Sequence, residues 1–221
     1  MAQQQLAAAG WTVVPSLLRA ELLAEIGATA FGFTAAGRRC LLDIAPVAAA
    51  AVELRENLAR IGVLPPVSAA IQAIGFDKRP DANWKVTWHQ DLLFPMRRRP
   101  VSLGFVPAQS KDGVEYARPP VEVLQEMLAV RLHLDDCGPD NGPLRVAPGS
   151  HLLGILPASA IPAAVARLRV ATCCARRGEL LLMRPLSLHA SSPSHRPVHR
   201  RVLHFVYHHG APTPEAWYRA V

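Results

Sequence analysis

The sequence predicts one mainly β domain, residues 1–221, in which a mostly helical segment at residues 1–66 supports a jelly-roll core at residues 67–210. Apolar residues recur at helical spacing mainly in the N-terminal third, and short apolar runs separated by Gly- and Pro-containing turns follow it. A chain of 221 residues, half of them hydrophobic, can bury one such core. Helices followed by many short strands favour a cupin-like, double-sheet barrel with the helices packed outside.

Three helices are predicted. Ser16 is expected to cap a helix over residues 17–26, where leucines and an isoleucine recur at helical spacing. A second helix covers residues 47–60 and ends at Gly62, because glycine tolerates the left-handed conformation that closes a helix. A short third helix, residues 121–128, follows a Pro-Pro pair that suits a helix start.

Strands are predicted for most of the remaining chain. The clearest signal is at residues 130–135, where apolar and polar residues alternate, so Arg131 and His133 are expected to point into the barrel. An Asp-Asn-Gly sequence at residues 140–142 predicts a turn. The other predicted strands are residues 67–75, 84–89, 101–106, 144–147, 179–183 and 202–207.

The net charge of +7, from 24 Lys and Arg against 17 Asp and Glu, indicates solubility and some attraction for anions. A nucleic-acid surface needs basic residues grouped with stacking aromatics, but aromatics are only 6% of this chain and the basic runs are short. An anionic small substrate explains the charge as well. No apolar stretch reaches the length that spans a membrane, so we expect no membrane partner.

The four cysteines are Cys40, Cys137, Cys173 and Cys174. No C-x-x-C pair occurs, so the sequence suggests neither a zinc ribbon nor a disulfide framework. The N-terminus lacks the basic region and long apolar run of a signal peptide. Reduced thiols without a leader predict a cytoplasmic protein.

A candidate metal site is formed by His89 and Asp91, spaced H-x-D, and the distant His189. Alternation along a strand puts residues i and i+2 on one face, so the first two can reach one ion. Two histidines and a carboxylate are the facial triad of non-haem Fe(II) enzymes, which leaves open positions for cosubstrate and O2. The same ligands can hold Zn(II) with a water. An H-x-D pair alone arises by chance in a chain with nine histidines.

Arg200 follows His189 by eleven residues. Its planar guanidinium can bind a carboxylate through two parallel hydrogen bonds, as the distal carboxylate of 2-oxoglutarate requires. Arg201 is the competing residue, and it points to the opposite face if this segment is a strand. Ser191 could add a hydroxyl group to the same carboxylate.

The residues around these positions resemble the phytanoyl-CoA dioxygenase family of Fe(II)/2-oxoglutarate oxygenases, which includes ectoine hydroxylase. The resemblance extends from about Gly10 to Tyr207, and the order and spacing of three blocks make it specific. The blocks are residues 76–91 with Trp-His-Gln-Asp at their end, residues 131–151 with Asn-Gly-Pro and Pro-Gly-Ser-His, and residues 178–200.

This resemblance implies a double-stranded β-helix fold with His89, Asp91 and His189 as the iron ligands and Arg200 as the 2-oxoglutarate clamp beside Ser191. It also implies that Gln72 contacts 2-oxoglutarate, although an exposed strand glutamine explains it equally. Phe76 stands where the ectoine hydroxylase branch has an asparagine. The implied reaction uses Fe(II), 2-oxoglutarate and O2, releases succinate and CO2, and usually hydroxylates a C–H bond.

The expected substrate is a small metabolite, polar or anionic. Trp84, Arg97, Arg131 and His133 are the candidate contacts, although Arg131 and His133 could instead form a buried polar network. Two other functions use the same fold: a cupin-like zinc hydrolase or isomerase, and a non-catalytic jelly roll that binds a ligand or a partner. Arg200 argues against the zinc enzyme, which has no need of 2-oxoglutarate.

Overall fold

The computed structural model describes residues 1–195, 198–210 and 213–221. Its α-helices are α1 (Ala2–Ala9), α2 (Ala20–Thr29), α3 (Ala45–Arg60), α4 (Val121–Gln125) and α5 (Ile161–Arg167). Its strands are β1 (Trp11–Val14), β2 (Gly37–Arg38), β3 (Ala69–Lys78), β4 (Val86–His89), β5 (Phe94–Met96), β6 (Val106–Pro107), β7 (Glu115–Arg118), β8 (Met127–His133), β9 (Leu144–Val146), β10 (Ala171–Cys173), β11 (Leu180–Met183), β12 (His189–Ser191) and β13 (Arg200–His208).

Within the described ranges the strands form three antiparallel sheets. The six-stranded sheet has the order β1-β11-β8-β13-β3-β2, the four-stranded sheet β10-β9-β12-β4, and the three-stranded sheet β5-β7-β6. Apolar residues of the two larger sheets share one core, so the sheets pack together as in a jelly roll. The predicted fold class is confirmed, with separate hydrogen-bonded sheets in place of one closed barrel.

The six-stranded sheet is buried on both faces, and the apolar residues of its central strand β8 are divided between two cores. In β8, Leu128, Val130 and Leu132 pack in the same core as the N-terminal helices. Met127 and Ala129, which alternate with them, pack in the core between the sheets. Arg131 continues that inward face, as the alternation predicted, and is the place where the apolar core gives way to a polar cavity.

The predicted helices form, with corrected ends. Helix α2 begins at Ala20, because the Ser16 hydroxyl contacts the carbonyl of Leu18 and caps no helical N–H group. Helix α3 begins at Ala45 and is followed by Gly62 at φ +71°, as expected. Helix α4 ends at Gln125, because Met127 and the following residues join the sheet. No helix in the described ranges is both long and apolar enough to span a membrane.

The strand predictions contain one error and several omissions. Residues 101–106 are not a strand: the Glu215 carboxylate accepts hydrogen bonds from the backbone N–H groups of Val101 and Ser102 at 2.8 Å, and only Val106 enters β6. Strand β3 continues past the predicted end at residue 75, because its pairing with β13 extends to Lys78 opposite Arg200. The omitted strands are β1, β2, β5, β7, β10 and β12.

Candidate metal centre

The three candidate ligands meet where β4 and β12 lie side by side. His89 and His189 are directly paired across these strands, and their ring centroids are 4.2 Å apart. The Asp91 Oδ1 atom lies 3.6 Å from His89 Nε2 and 3.7 Å from His189 Nε2. One donor atom from each residue lies within 4.8 Å of the other two. The structure therefore brings the predicted triad together in an arrangement that could hold one divalent ion.

Backbone carbonyls set the tautomers of both histidines. His89 Nδ1 lies 2.8 Å from the carbonyl oxygen of Thr87, and His189 Nδ1 lies 2.9 Å from that of Ser187. A carbonyl oxygen only accepts hydrogen bonds, so each Nδ1 is the donor and each Nε2 keeps a lone pair. Metal-binding histidines are commonly fixed in this way, so the donor set fits a metal ion.

The ionisation of His189 and Asp91 also suits a metal, whereas the pKa of His89 is raised, because burial is outweighed by the hydrogen bond and charge of Asp91. Burial lowers the pKa of His189 to about 4, so its imidazole is neutral near pH 7. Burial opposes ionisation of Asp91, but His189, His89 and His204 together lower the pKa of its carboxyl group far below the usual range. Neutral imidazoles and an ionised carboxylate are the forms that bind metal.

Gln90 fixes the backbone between the first two ligands. Its side-chain amide group donates to the carbonyls of Leu186 at 2.8 Å and Gly154 at 2.7 Å, and its Oε1 atom accepts from the N–H of Leu156 at 2.8 Å. These bonds tie β4 to the segment before β12, so they hold the two halves of the triad in place.

The triad opens into a cavity of about 630 Å³, a size typical of small-molecule sites. Five further residues singled out in the sequence line this cavity: Gln72, Trp84, Arg131, Ser191 and Arg200. Two others are not among its lining residues. His133 is buried, with its pKa lowered to about 3 by burial, and Arg97 is exposed beside the backbone of Ala216.

Two buried cations, Arg200 and Lys78, are directly paired across β13 and β3, and Arg200 lines the cavity. Arg200 donates to the carbonyl of Gly142, and its Nε atom has no partner among the described residues. The Lys78 ammonium group donates to Ser191 Oγ at 3.0 Å and to the carbonyl of Ser192. Burial, and then the charge of Arg200, lower the pKa of Lys78 to about 7. In the described ranges neither cation forms a salt bridge, so the pair is suited to bind an anion.

The neighbouring arginine is occupied elsewhere. The Arg201 guanidinium donates to Asp135 through Nε at 2.9 Å and through a terminal nitrogen at 2.7 Å. Arg201 is not among the residues that line the cavity. Arg200 and Arg201 therefore point to opposite sides of β13, as strand alternation predicted.

Gly142 lets the turn after β8 approach Arg200. Its φ is +59°, and a Cβ atom there would lie 2.7 Å from the carbonyl oxygen of Ser192. A larger residue would strain the turn and displace the carbonyl group that Arg200 binds.

The cavity carries an excess of positive charge. The cationic residues among its lining are Arg39, Lys111, Arg118, Arg131 and Arg200, whereas Asp91 is its lining carboxylate. Lys111 lies over the ring of Tyr116 at 5.3 Å, and the exposed Arg39 approaches Asp112 at 3.8 Å. These outer cations were not predicted, because Arg39 and Lys111 lie in loops and Arg118 ends a four-residue strand, so the sequence around them shows no pattern.

Two buried residues near the triad were also missed. His204 lines the cavity from β13, four residues beyond Arg200 and on the same face. Continuing the alternation from Arg200 through this strand identifies it. Lys78 is the last residue of β3, on the same face as Gln72, Ile74 and Phe76, and was missed because the strand was predicted to end at residue 75.

Comparison with known proteins agrees with this architecture. The family model described as phytanoyl-CoA dioxygenase (PhyH) matches residues 8–202. No curated protein matches the chain in a sequence search. Among solved structures, AviO1 from Streptomyces viridochromogenes Tue57 superposes with a TM-score of 0.68 at 19% identity, covering 97% of this chain and 96% of that one.

Two further solved structures contain metal and cosubstrate. The epimerase SnoN from nogalamycin biosynthesis, in complex with Fe³⁺, alpha ketoglutarate and nogalamycin RO, gives a TM-score of 0.68 at 17% identity, covering 94% of this chain and 82% of that one. HygX from Streptomyces hygroscopicus, with nickel and 2-oxoglutarate bound, gives a TM-score of 0.63 at 16% identity, covering 99% of this chain and 90% of that one. The sequence match over most of the chain shows that this protein is a member of the phytanoyl-CoA dioxygenase family.

Proposed function

We propose that the protein is an Fe(II)- and 2-oxoglutarate-dependent oxygenase that hydroxylates a C–H bond of a small anionic metabolite and releases succinate and CO2. One observation carries this proposal: the triad of His89, Asp91 and His189 shares a cavity with the unneutralised Arg200, and the buried Lys78, also unneutralised, contacts Ser191 in the wall of that cavity. A zinc hydrolase or isomerase has no use for a second, anionic cosubstrate at that end of the cavity.

In this proposal the triad would hold Fe(II) through the Nε2 atoms of His89 and His189 and the Oδ1 atom of Asp91. The bound iron supplies the oxidising power, with O2 and 2-oxoglutarate as its reactants. The protein's part is to keep the His189 imidazole neutral, to hold the carboxylate ionised and to present the three donor atoms at the cavity.

The cosubstrate contacts come from the buried end of the cavity. Arg200 and Lys78 would neutralise the distal carboxylate of 2-oxoglutarate, and the Ser191 hydroxyl that Lys78 already contacts would add a hydrogen bond. Gln72 lines the same cavity, and its side-chain amide N–H group would be the donor to 2-oxoglutarate.

The substrate would occupy the outer half of the cavity. Arg39, Lys111 and Arg118 line it there, and they exceed the carboxylates that line the same space. Trp84 and Phe76 add aromatic surface. Charge complementarity therefore favours a substrate that bears carboxylate, sulfate or phosphate groups.

Hydroxylation is the outcome we propose for this chain, although its fold serves other oxidations. SnoN, which shares the fold, is named an epimerase. Small-molecule hydroxylation requires space beside the metal for a substrate C–H bond, and the cavity of about 630 Å³ that the triad lines offers such space.

The cysteines of the described ranges are free, which supports the proposed cytoplasmic location.

A binding experiment without oxygen tests the proposal. Anaerobic addition of Fe(II) and then 2-oxoglutarate should produce a visible metal-to-ligand charge-transfer band, because the keto acid group chelates the iron. The Zn(II) protein should give no such band. Absence of the band at saturating Fe(II) and 2-oxoglutarate would contradict the assignment and leave the zinc hydrolase and the non-catalytic jelly roll.

A further inference from the structure

We propose that His204 is a positioning residue for the metal centre. Its Nε2–H group holds the Oδ2 atom of Asp91, so that the Oδ1 atom faces the ion. This proposal rests on the metal centre proposed above. It assigns a function to a buried histidine that belongs to neither the triad nor the predicted cosubstrate contacts.

The two oxygen atoms of the Asp91 carboxylate have different surroundings. Oδ1 lies between the Nε2 atoms of His89 and His189. Oδ2 points the other way, is buried, and has no hydrogen-bond partner among the described residues. His204 Nε2 lies 3.6 Å from Oδ2. Buried carboxylate oxygens require a donor, and His204 presents one at that side.

The tautomer of His204 follows from its other neighbour. A terminal nitrogen of Arg131 lies 3.2 Å from His204 Nδ1. A guanidinium group can only donate, so Nδ1 must accept and the ring proton resides on Nε2, facing Asp91. Burial lowers the pKa of His204 to about 3, which agrees with a neutral ring.

The strand register and an aromatic ring fix this arrangement. His204 and Arg131 are directly paired on β13 and β8, and both face inward. The Arg131 guanidinium lies 5.6 Å from the ring centroid of Phe76, and the His204 ring meets the same ring edge-on at 6.3 Å. Phe76, which replaces the asparagine of the ectoine hydroxylase branch, therefore packs against both members of the pair.

His204 is better suited to support the site than to be a fourth ligand. Within the described ranges, the group of donor atoms close enough to share an ion contains His89, Asp91 and His189. The 3.6 Å separation from Asp91 is longer than a hydrogen bond, but contacts in catalytic sites commonly shorten when ligands bind. We expect this contact to shorten when an ion fixes Oδ1.

Two substitutions separate positioning from packing. In His204→Gln the amide nitrogen can take the place of Nε2 and donate to Asp91, whereas in His204→Asn the shorter amide reaches only the place of Nδ1. Anaerobic titration with Co(II), followed by its visible spectrum, measures metal affinity without turnover. We expect His204→Asn to bind Co(II) roughly 10–100-fold more weakly than the unmodified protein, and His204→Gln to recover most of that loss.

His208→Asn is the matched control, because His208 is also buried on β13 but contacts Glu126 and Trp217. It should change thermal stability without changing Co(II) affinity. Equal Co(II) affinity of His204→Asn and His204→Gln, at unchanged melting temperatures, would overturn the positioning role while leaving the metal centre intact. Failure of the unmodified protein to bind Co(II) would instead overturn the metal centre itself.

Discussion

His89 and His189 stand directly opposite each other on β4 and β12, with ring centroids 4.2 Å apart. One pairing register thus joins two ligands that are a hundred positions apart in the sequence. Because side chains alternate along a strand, a slip of one residue would turn one imidazole away from the other. The metal centre therefore depends on the packing of the four-stranded sheet as much as on the ligands.

Replacing His189 by Ala should abolish the metal site. The variant loses one of three ligands, so we expect at least about 100-fold weaker Fe(II) or Co(II) binding and loss of the charge-transfer band with 2-oxoglutarate. The control is His199→Ala, an exposed histidine that contacts Asp77. A charge-transfer band of unchanged intensity in His189→Ala would remove His189 from the ligand set.

Replacing Arg200 by Ala should weaken 2-oxoglutarate binding. Loss of a charge-assisted hydrogen bond of about 1.5–3 kcal/mol corresponds to roughly 10–100-fold lower affinity, measured by titrating the charge-transfer band. Arg201→Ala is the matched control, since its guanidinium is bound to Asp135 on the other side of the strand. If Arg201→Ala weakens binding and Arg200→Ala does not, the clamp is Arg201.

The affinity for 2-oxoglutarate should fall as the pH rises above about 7, where Lys78 loses its proton in the free protein. Burial and the positive charges of Arg200 and Arg131 lower the pKa of Lys78, whereas an ionised Cys137 thiolate raises it. Binding of a dianion then requires proton uptake, so the dissociation constant should rise by up to about tenfold per pH unit.

Lys78→Met tests this source of the pH dependence. The variant should bind 2-oxoglutarate more weakly at pH 6.5 and show a nearly flat affinity between pH 7 and 9, measured anaerobically with Fe(II). A slope equal to that of the unmodified protein would mean that another group takes up the proton.

Replacing Gln90 by Leu should destabilise the fold around the metal centre. The change leaves the carbonyls of Gly154 and Leu186 and the N–H of Leu156 without their partner, which costs about 2–4 kcal/mol of unfolding free energy. Urea unfolding measures this loss. Gln3→Leu, at an exposed position of α1, should change stability by less than about 0.5 kcal/mol. Equal stability of the two variants would contradict the role of the Gln90 bonds.

Much of the fold was predictable because its signals are local. Helix α3 shows apolar residues at helical spacing, and apolar and polar residues alternate at the end of β8, where the strand crosses from core to cavity. Residues 101–106 gave a false strand, because a distant carboxylate, Glu215, binds their backbone. The end of β3 was misplaced because its last residues are held by pairing with β13, a long-range contact that leaves no local pattern.

The candidate site was predictable from the sequence to a similar extent. H-x-D spacing, the distant His189 and the family resemblance of the surrounding blocks together predicted the triad, and Arg200 was predicted from its position eleven residues after His189. His204 was accessible through the same alternation that places Arg200 on the inner face of β13. Lys78 and the outer cations depend on which segments fold over the cavity, and that arrangement follows from tertiary packing.

The central claim is that His89, Asp91, His189 and Arg200 support oxidation of 2-oxoglutarate by O2. The most direct measurement is succinate formation after O2 is admitted to anaerobic protein containing Fe(II), 2-oxoglutarate and ascorbate. We predict slow succinate release by the unmodified protein even without substrate. In His189→Ala the release should fall to background. In Arg200→Ala it should reach the rate of the unmodified protein only at high 2-oxoglutarate concentration. Succinate formation at the same rate in His189→Ala, or none from the unmodified protein even when anionic metabolites are supplied, would contradict the account.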